Sequence, residues 1–226
     1  MTSFDTRQES VTPERTSAES LRDFRSWVTR QVRRYGDGYV RQESVATGAL
    51  ARLRRGAGRG ALDVPEVWPI TLAELPTGLI APFSVPRSTP EEATAFEEAS
   101  HAALTLFAVH QRSLRRNVHV SGVGLGQALT GLAPRGGSAS PGVDARVRAL
   151  LSADEVAEAE RHLRGLITML SRTEQGLDYG QLAEDLVRLR GHELRRGVLH
   201  RWARDFYRHA PRPASETSTP AVATDA

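Results

Sequence analysis

Apolar residues in this chain recur at three- and four-residue intervals in one segment after another, and that periodicity restricts the fold more than any other feature. Residues so spaced share one face of a helix, so each segment carries a stripe that must be buried against a neighbour. Leu21, Phe24, Val28, Gln31 and Tyr35, with Trp27 beside them, predict a first helix over about 20–35, ended by Gly36 and Gly38. Ala46, Ala49, Leu50 and Leu53 share a face of a second over 44–55, stopped by Gly56, Ala57 and Gly58. Thr89, Pro90 and Glu92 read as a capping box with proline at the first helical position. They announce a long helix over 90–116, whose inward face of Phe96, Ser100, Ala103, Phe107, His110 and Leu114 would run for about 40 Å.

Short helices are expected near 125–132 and 143–151. Ser152 with Glu155 predicts the cap of a helix carrying Val156, Ala159, Leu163, Leu166 and Leu170, and Asp178 with Gln181 the cap of one carrying Leu182, Leu186 and Leu189. A last helix, from about Glu193 to His209, carries Leu194, Val198, Trp202 and Phe206. The expected fold is therefore all-α, with two helical parts joined by the Gly/Pro/Ser-rich loop at 134–142, the second part a four-helix-bundle-like domain over 143–210. The first part spans 20–133. Within it, prolines at 65, 69, 76, 82, 86 and 90 predict an ordered connector over 61–90, whose Trp68, Ile70, Leu72, Leu75, Leu79 and Phe83 need packing. Segments 1–19 and 211–226, rich in Ser, Thr, Glu or Pro, read as disordered tails.

At 226 residues and 39% hydrophobic content, the chain can bury a sizeable core without staples. It has no cysteine, which excludes disulfides, thiolate metal sites and cysteine nucleophiles. No run is long and apolar enough to span a bilayer, and the first residues lack signal-peptide blocks, so a cytoplasmic location without a membrane partner is expected.

The seven histidines never stand three or four apart on one helix face, and His192-Glu193 runs on into Leu-Arg-Arg rather than a zincin motif, so no metal site is expected. Gly122, Gly124 and Gly126 miss the dinucleotide spacing, and a phosphate-loop motif cannot exist without lysine. There is no nucleophile elbow, and the acid pairs Glu91-Glu92 and Glu97-Glu98 read as solvated surface. No catalytic residue, cofactor or enzymatic activity is expected.

All 30 basic residues are arginine. The whole chain carries +3, and the segments 1–20 and 211–226 contribute −2 and −1, which leaves +6 on the body. Uniform replacement of lysine by arginine explains the composition, so only the clustering is informative. Arg54 and Arg55, then Arg112, Arg115 and Arg116, then Arg146 and Arg148, then Arg195 and Arg196 form clusters, several of them at helix ends beside glycines or loops, where a guanidinium can reach phosphate without burial. Acids at helical spacing offset Arg161, Arg164 and Arg188, whereas none stands within four residues of Arg54, Arg55, Arg115 or Arg116. Without interleaved aromatics, the chemistry favours backbone contacts over base stacking. A helical DNA-binding regulator is the other reading, since two capped helices meeting at Gly191 could act as a helix-turn-helix.

Six landmarks add a family resemblance. Residues 50–58 (LARLRRGAG), 106–111 (LFAVHQ), 124–129 (GLGQAL), 146–154 (RVRALLSAD), 177–186 (LDYGQLAEDL) and 202–207 (WARDFY) resemble, in order, landmarks of the CasB family, the small subunit of the type I-E CRISPR Cascade complex. The resemblance implies an all-helical, nonenzymatic subunit, present with a second copy of itself beside other Cascade subunits. It implies contacts with guide RNA and target DNA backbones that stabilise the R-loop, and it places the family's basic surface on Arg54, Arg55 and Arg146. Val147 and Ser152 depart from the family pattern, in a larger apolar and a basic position respectively.

Overall fold

The computed structural model describes residues 17–73, 75, 76, 79, 93–132 and 141–209. Among these the chain is helical throughout, as the periodicity requires: α1 (Ser17–Val40), α2 (Ser44–Gly56), two single 3-10 turns at 61–63 and 65–67, α3 (Trp68–Thr71), α4 (Ala95–His110), α5 (Leu125–Thr130), α6 (Pro141–Leu151), α7 (Val156–Leu170), α8 (Tyr179–Arg190) and α9 (His192–His209). The single β interaction among the described residues is an isolated parallel bridge between His119 and Leu177.

Helix α4 is the hub. Its small residues Ala99, Ser100, Ala103 and Ala108 and its large ones Phe96, Leu104, Leu106 and Phe107 are all buried, so it is apolar nearly all round. It packs on α1, α2, α7 and α8, and α8 in turn packs on α1 and α9. Phe24 of α1 meets Phe96 edge-on at 5.1 Å, and Phe107 meets Tyr179 of α8 the same way at 5.2 Å. The apolar core is therefore one cluster drawn from both sides of the 134–142 loop, of which residues 133–140 lie outside the described residues. Two glycines let backbones close in. A Cβ on Gly180 would fall 2.2 Å from Thr29 Oγ1, and one on Gly126 would fall 2.3 Å from the Trp202 carbonyl.

Several expected boundaries are corrected. Helix α1 runs on through Gly36 and Gly38 to Val40, because both glycines are buried contacts: the side chain of Asn117 occupies the space a Cβ at 36 would need, and Ala46 crowds position 38. It also begins at Ser17, inside the segment read as a tail, of which 1–16 lie outside the described residues. The long helix expected over 90–116 covers only Ala95–His110, about 24 Å. Its cap is a Thr94/Glu97 box, with Thr94 Oγ1 accepting from the Glu97 amide at 3.2 Å; Thr89, Pro90 and Glu92 lie outside the described residues. Glu97 and Glu98 are half-buried and bonded to backbone amides of Thr94 and Ala61, not solvated. Ser152 does not cap α7, whose N-cap is Glu155, and Leu194 is 54% exposed rather than part of the α9 stripe. In the connector, Ile70, Leu75 and Leu79 are buried, Trp68 is at the surface, and Phe83 lies outside the described residues.

Candidate nucleic-acid interface

Leu50 and Leu53 face the core, so α2 must send Arg52 and Arg55 outward and hold Arg54 at the rim. The helix is docked by its end: His101 Nε2 of α4 lies 3.1 Å from the Gly56 carbonyl, and a Cβ on Gly56 would press on the same ring. Arg54 is half-buried there, and its Nη1 is buried without a hydrogen-bond partner. Burial lowers its pKa first, and the nearby charges of Arg112 and Arg55 lower it further, against an opposing contribution from Tyr39. Two segments 58 residues apart in sequence thus bring Arg54, Arg55 and Arg112 within electrostatic range of one another.

Arg112, Arg115 and Arg116 sit not on α4 but on the turn that follows it, and all three are exposed. Gln111 builds that turn. Its side chain is buried, donates from Nε2 to the Leu114 carbonyl at 3.2 Å and the Arg116 carbonyl at 2.7 Å, and accepts from the Val118 amide at 3.0 Å. Ser113 takes a positive φ of 64° at its apex. Gln111 is the positioning residue that sequence reasoning missed; a glutamine beside an arginine run carries no distinguishing pattern.

The chain then passes into 117–124, tied down by Asp178. This buried carboxylate accepts from the amides of Gln181 at 3.0 Å and Gly122 at 2.8 Å and from Arg25 at 2.9 Å, which together hold its pKa low despite burial. The glycine-rich segment is thereby clamped. Gly122 has φ +83°, and the Val123 carbonyl accepts from the Asp178 amide at 2.8 Å. Asp178 also caps α8, as its spacing to Gln181 predicts. His110 sits in the core with Nδ1 3.0 Å from the Tyr179 hydroxyl, and burial pushes its pKa down to about 4. The described histidines and acids form no group of three that could hold a metal.

The remaining predicted arginines are placed differently. Arg146 and Arg148 lie on α6, which packs on α7 and α9; Arg146 donates to the Gly142 carbonyl at 3.0 Å, and Arg148 pairs with Asp144 at 2.6 Å. Arg195 is a strap, donating to the Leu189 carbonyl at 2.9 Å and to the Asp154 carbonyl. Arg196 beside it is exposed and makes no ion pair among the described residues.

The structure is thus an all-α chain packed around α4, with an arginine corner that has no acid paired to it among the described residues. Residues 49–207 match the family model of CRISPR-associated protein Cse2. Among solved structures, CasB from Thermobifida fusca is 31% identical with a TM-score of 0.66, the match covering 83% of this chain and 98% of that one. A Cse2-family CRISPR-associated protein from Thermus thermophilus is 26% identical with a TM-score of 0.57, covering 83% and 97%. A chain of a CRISPR RNA-guided surveillance complex shares the fold at 23% identity and a TM-score of 0.61, covering 82% and 94%. No curated protein sequence matches the chain. The chain belongs to the CRISPR-associated Cse2 family, of which the CasB structures are relatives.

Proposed function

We propose that this chain is a nonenzymatic subunit of a Cascade complex in the cytoplasm, gripping the backbones of guide RNA and target DNA and so stabilising the R-loop. A second copy of the chain and the other Cascade subunits are its protein partners in this reading. The observation that carries it is Arg54: a guanidinium with a buried, unpartnered nitrogen, set against Arg55 and Arg112. Like charges held together raise each other's energy, and a phosphate bound at the exposed Arg55 and Arg112 relieves the repulsion. Arg115 and Arg116 extend the track along the Gln111 turn, while Arg146, Arg148, Arg195 and Arg196 contribute at its periphery. Exchange of a DNA duplex for a guide heteroduplex is nearly balanced, so a few such contacts tip it.

Binding to nonspecific DNA across a salt series tests the reading. Affinity falls steeply with salt, and the R54A/R55A/R112A variant loses about 3 units of the log–log slope. A slope unchanged by the substitutions contradicts it. The regulator reading loses ground because Trp202 and Phe206 of α9 are buried, leaving no free recognition face along that stripe.

A further inference from the structure

A second arginine-lined feature adjoins the Arg54 corner without sharing Arg54, Arg55 or Arg112. The segment 58–60 that follows α2, with α4, α7 and the last residue of α8, lines an open cleft of about 510 Å³, the size of a small-ligand site. Four guanidinium groups, from Arg59, Arg161, Arg164 and Arg190, line it against two carboxylates, from Glu98 and Glu160, which leaves +2. Both carboxylates are engaged by one cation: Arg190 pairs with Glu160 at 2.6 Å and with Glu98 at 3.9 Å. That group carries −1, and the other three guanidinium groups, which pair with neither carboxylate, carry +3.

Those three are held to different degrees. Arg164 donates to the Ala57 carbonyl at 3.0 Å and lies where a side chain at position 58 would be, 1.6 Å from the Cβ that Gly58 lacks. Gly58 also has φ +84°, so both its backbone and the space above it require glycine. Arg59 donates to the Asp63 carbonyl. Arg161 is exposed and makes no ion pair among the described residues, although its neighbouring acids in sequence read as its partners. Ala102 and Leu106 of α4 and Val156 and Ala157 of α7 give the wall its apolar part. His101, also in the lining, keeps a buried Nδ1 with no hydrogen-bond partner.

We propose that this cleft binds a phosphate monoester of nucleotide size, either a free nucleoside monophosphate or the phosphorylated terminus of a strand. A monoester carries about −1.5 to −2 charges at neutral pH and matches the +2 lining, whereas an internal phosphodiester or a single carboxylate carries only one. Guanidinium forks suit the phosphate oxygens, and the apolar wall suits the face of a base. The site shares no residue with the proposed backbone track and does not depend on it.

Calorimetric titration of the full chain with AMP, adenosine, and a dinucleotide with and without a terminal phosphate tests the assignment. AMP binds at least about tenfold more tightly than adenosine, and R161A weakens AMP by about tenfold, in line with the value of one charged contact. Because Arg161 is exposed, R161A keeps the wild-type melting temperature; R164A, which also frees the Gly58 turn, is the second variant. A preference for the phosphorylated dinucleotide over AMP assigns the cleft to strand ends, and equal affinity assigns it to free nucleotides; both support the site. Equal binding of AMP and adenosine, no binding of any phosphorylated probe, or loss of AMP binding in R54A/R55A/R112A instead of R161A overturns it. Duplex DNA binding, measured in parallel, reports on the backbone track alone.

Discussion

Two arginine groups in this molecule have the same chemistry and opposite surroundings. At the α8–α9 contact, Asp185 is buried and accepts from Trp202 Nε1 at 2.8 Å and from Arg201, while Arg188 pairs with Glu184 at 2.6 Å. Every charge there has a counter-charge within the fold. At the corner of α2 and the Gln111 turn, the charges of Arg55 and Arg112 both act on Arg54, and no carboxylate is paired to any of the three among the described residues. Folding gains nothing from that second arrangement, which costs desolvation and repulsion. The proposed phosphate contacts would account for an arrangement that opposes stability, and the contrast separates arginines paired within the fold from unpaired ones where composition could not.

The contrast breaks most visibly at Asp185. D185A leaves Arg201 and the Trp202 indole without their acceptor in a buried setting, and stability drops by about 3–5 kcal/mol in denaturant unfolding. The salt slope for DNA, taken at a temperature where the variant stays folded, does not change. A variant that lost DNA affinity at unchanged stability would erase the distinction.

Next in size is the pH dependence of the core. Burial takes the His110 pKa down to about 4 in the folded chain, below its unfolded value near 6.5, so the unfolded chain takes up the proton first. Stability from this group is complete above about pH 6.5 and falls by about 3 kcal/mol as pH drops toward 4. Asp185 acts in the opposite sense. Burial raises its pKa to about 6, so its contribution falls as pH rises from about 4 to 6. The difference between wild type and H110Q, followed from pH 7 to 4, therefore isolates the histidine; a pH-independent difference would contradict the assignment.

Gln111 is a structural side chain within the second region, since it holds the turn that carries Arg112, Arg115 and Arg116. Q111A strands the carbonyls of Leu114 and Arg116 and the amide of Val118, costs about 1–3 kcal/mol, and lowers DNA affinity with every arginine intact. Q111E keeps the bond from the Val118 amide and loses the donations, so it falls between. Smallest is R148A: its partner Asp144 is on the same exposed helix face, and stability changes by less than about 1 kcal/mol. Its effect on the DNA salt slope is smaller than that of R55A.

Much of this architecture was legible in the sequence. Period and caps located α2, α8 and α9 to within a residue or two, because Asp178 and Gln181 satisfy a helix start locally and Gly58 stops one by its own backbone. The end of α1 is misread because Gly36 and Gly38 look like stops, yet Asn117 and Ala46 fill the space they leave, and the contact with Asn117, about 80 residues away, is invisible to local pattern. The same limit applied to the candidate interface. Arg54 and Arg55 stand out by the absence of nearby acids, but their meeting with Arg112 depends on how α2 docks on α4, and Arg195 reads as a surface cluster although it straps α9 to Asp154.

The salt dependence of DNA binding, compared among wild type, R54A/R55A/R112A and the surface-pair control R41A, is the most direct test of the central claim, since Arg41 already pairs with Glu43 at 2.8 Å. If the corner meets phosphate, the triple variant loses about 3 units of slope at unchanged melting temperature while R41A matches wild type. Equal slopes for all three proteins would show that the arginine corner does not meet phosphate.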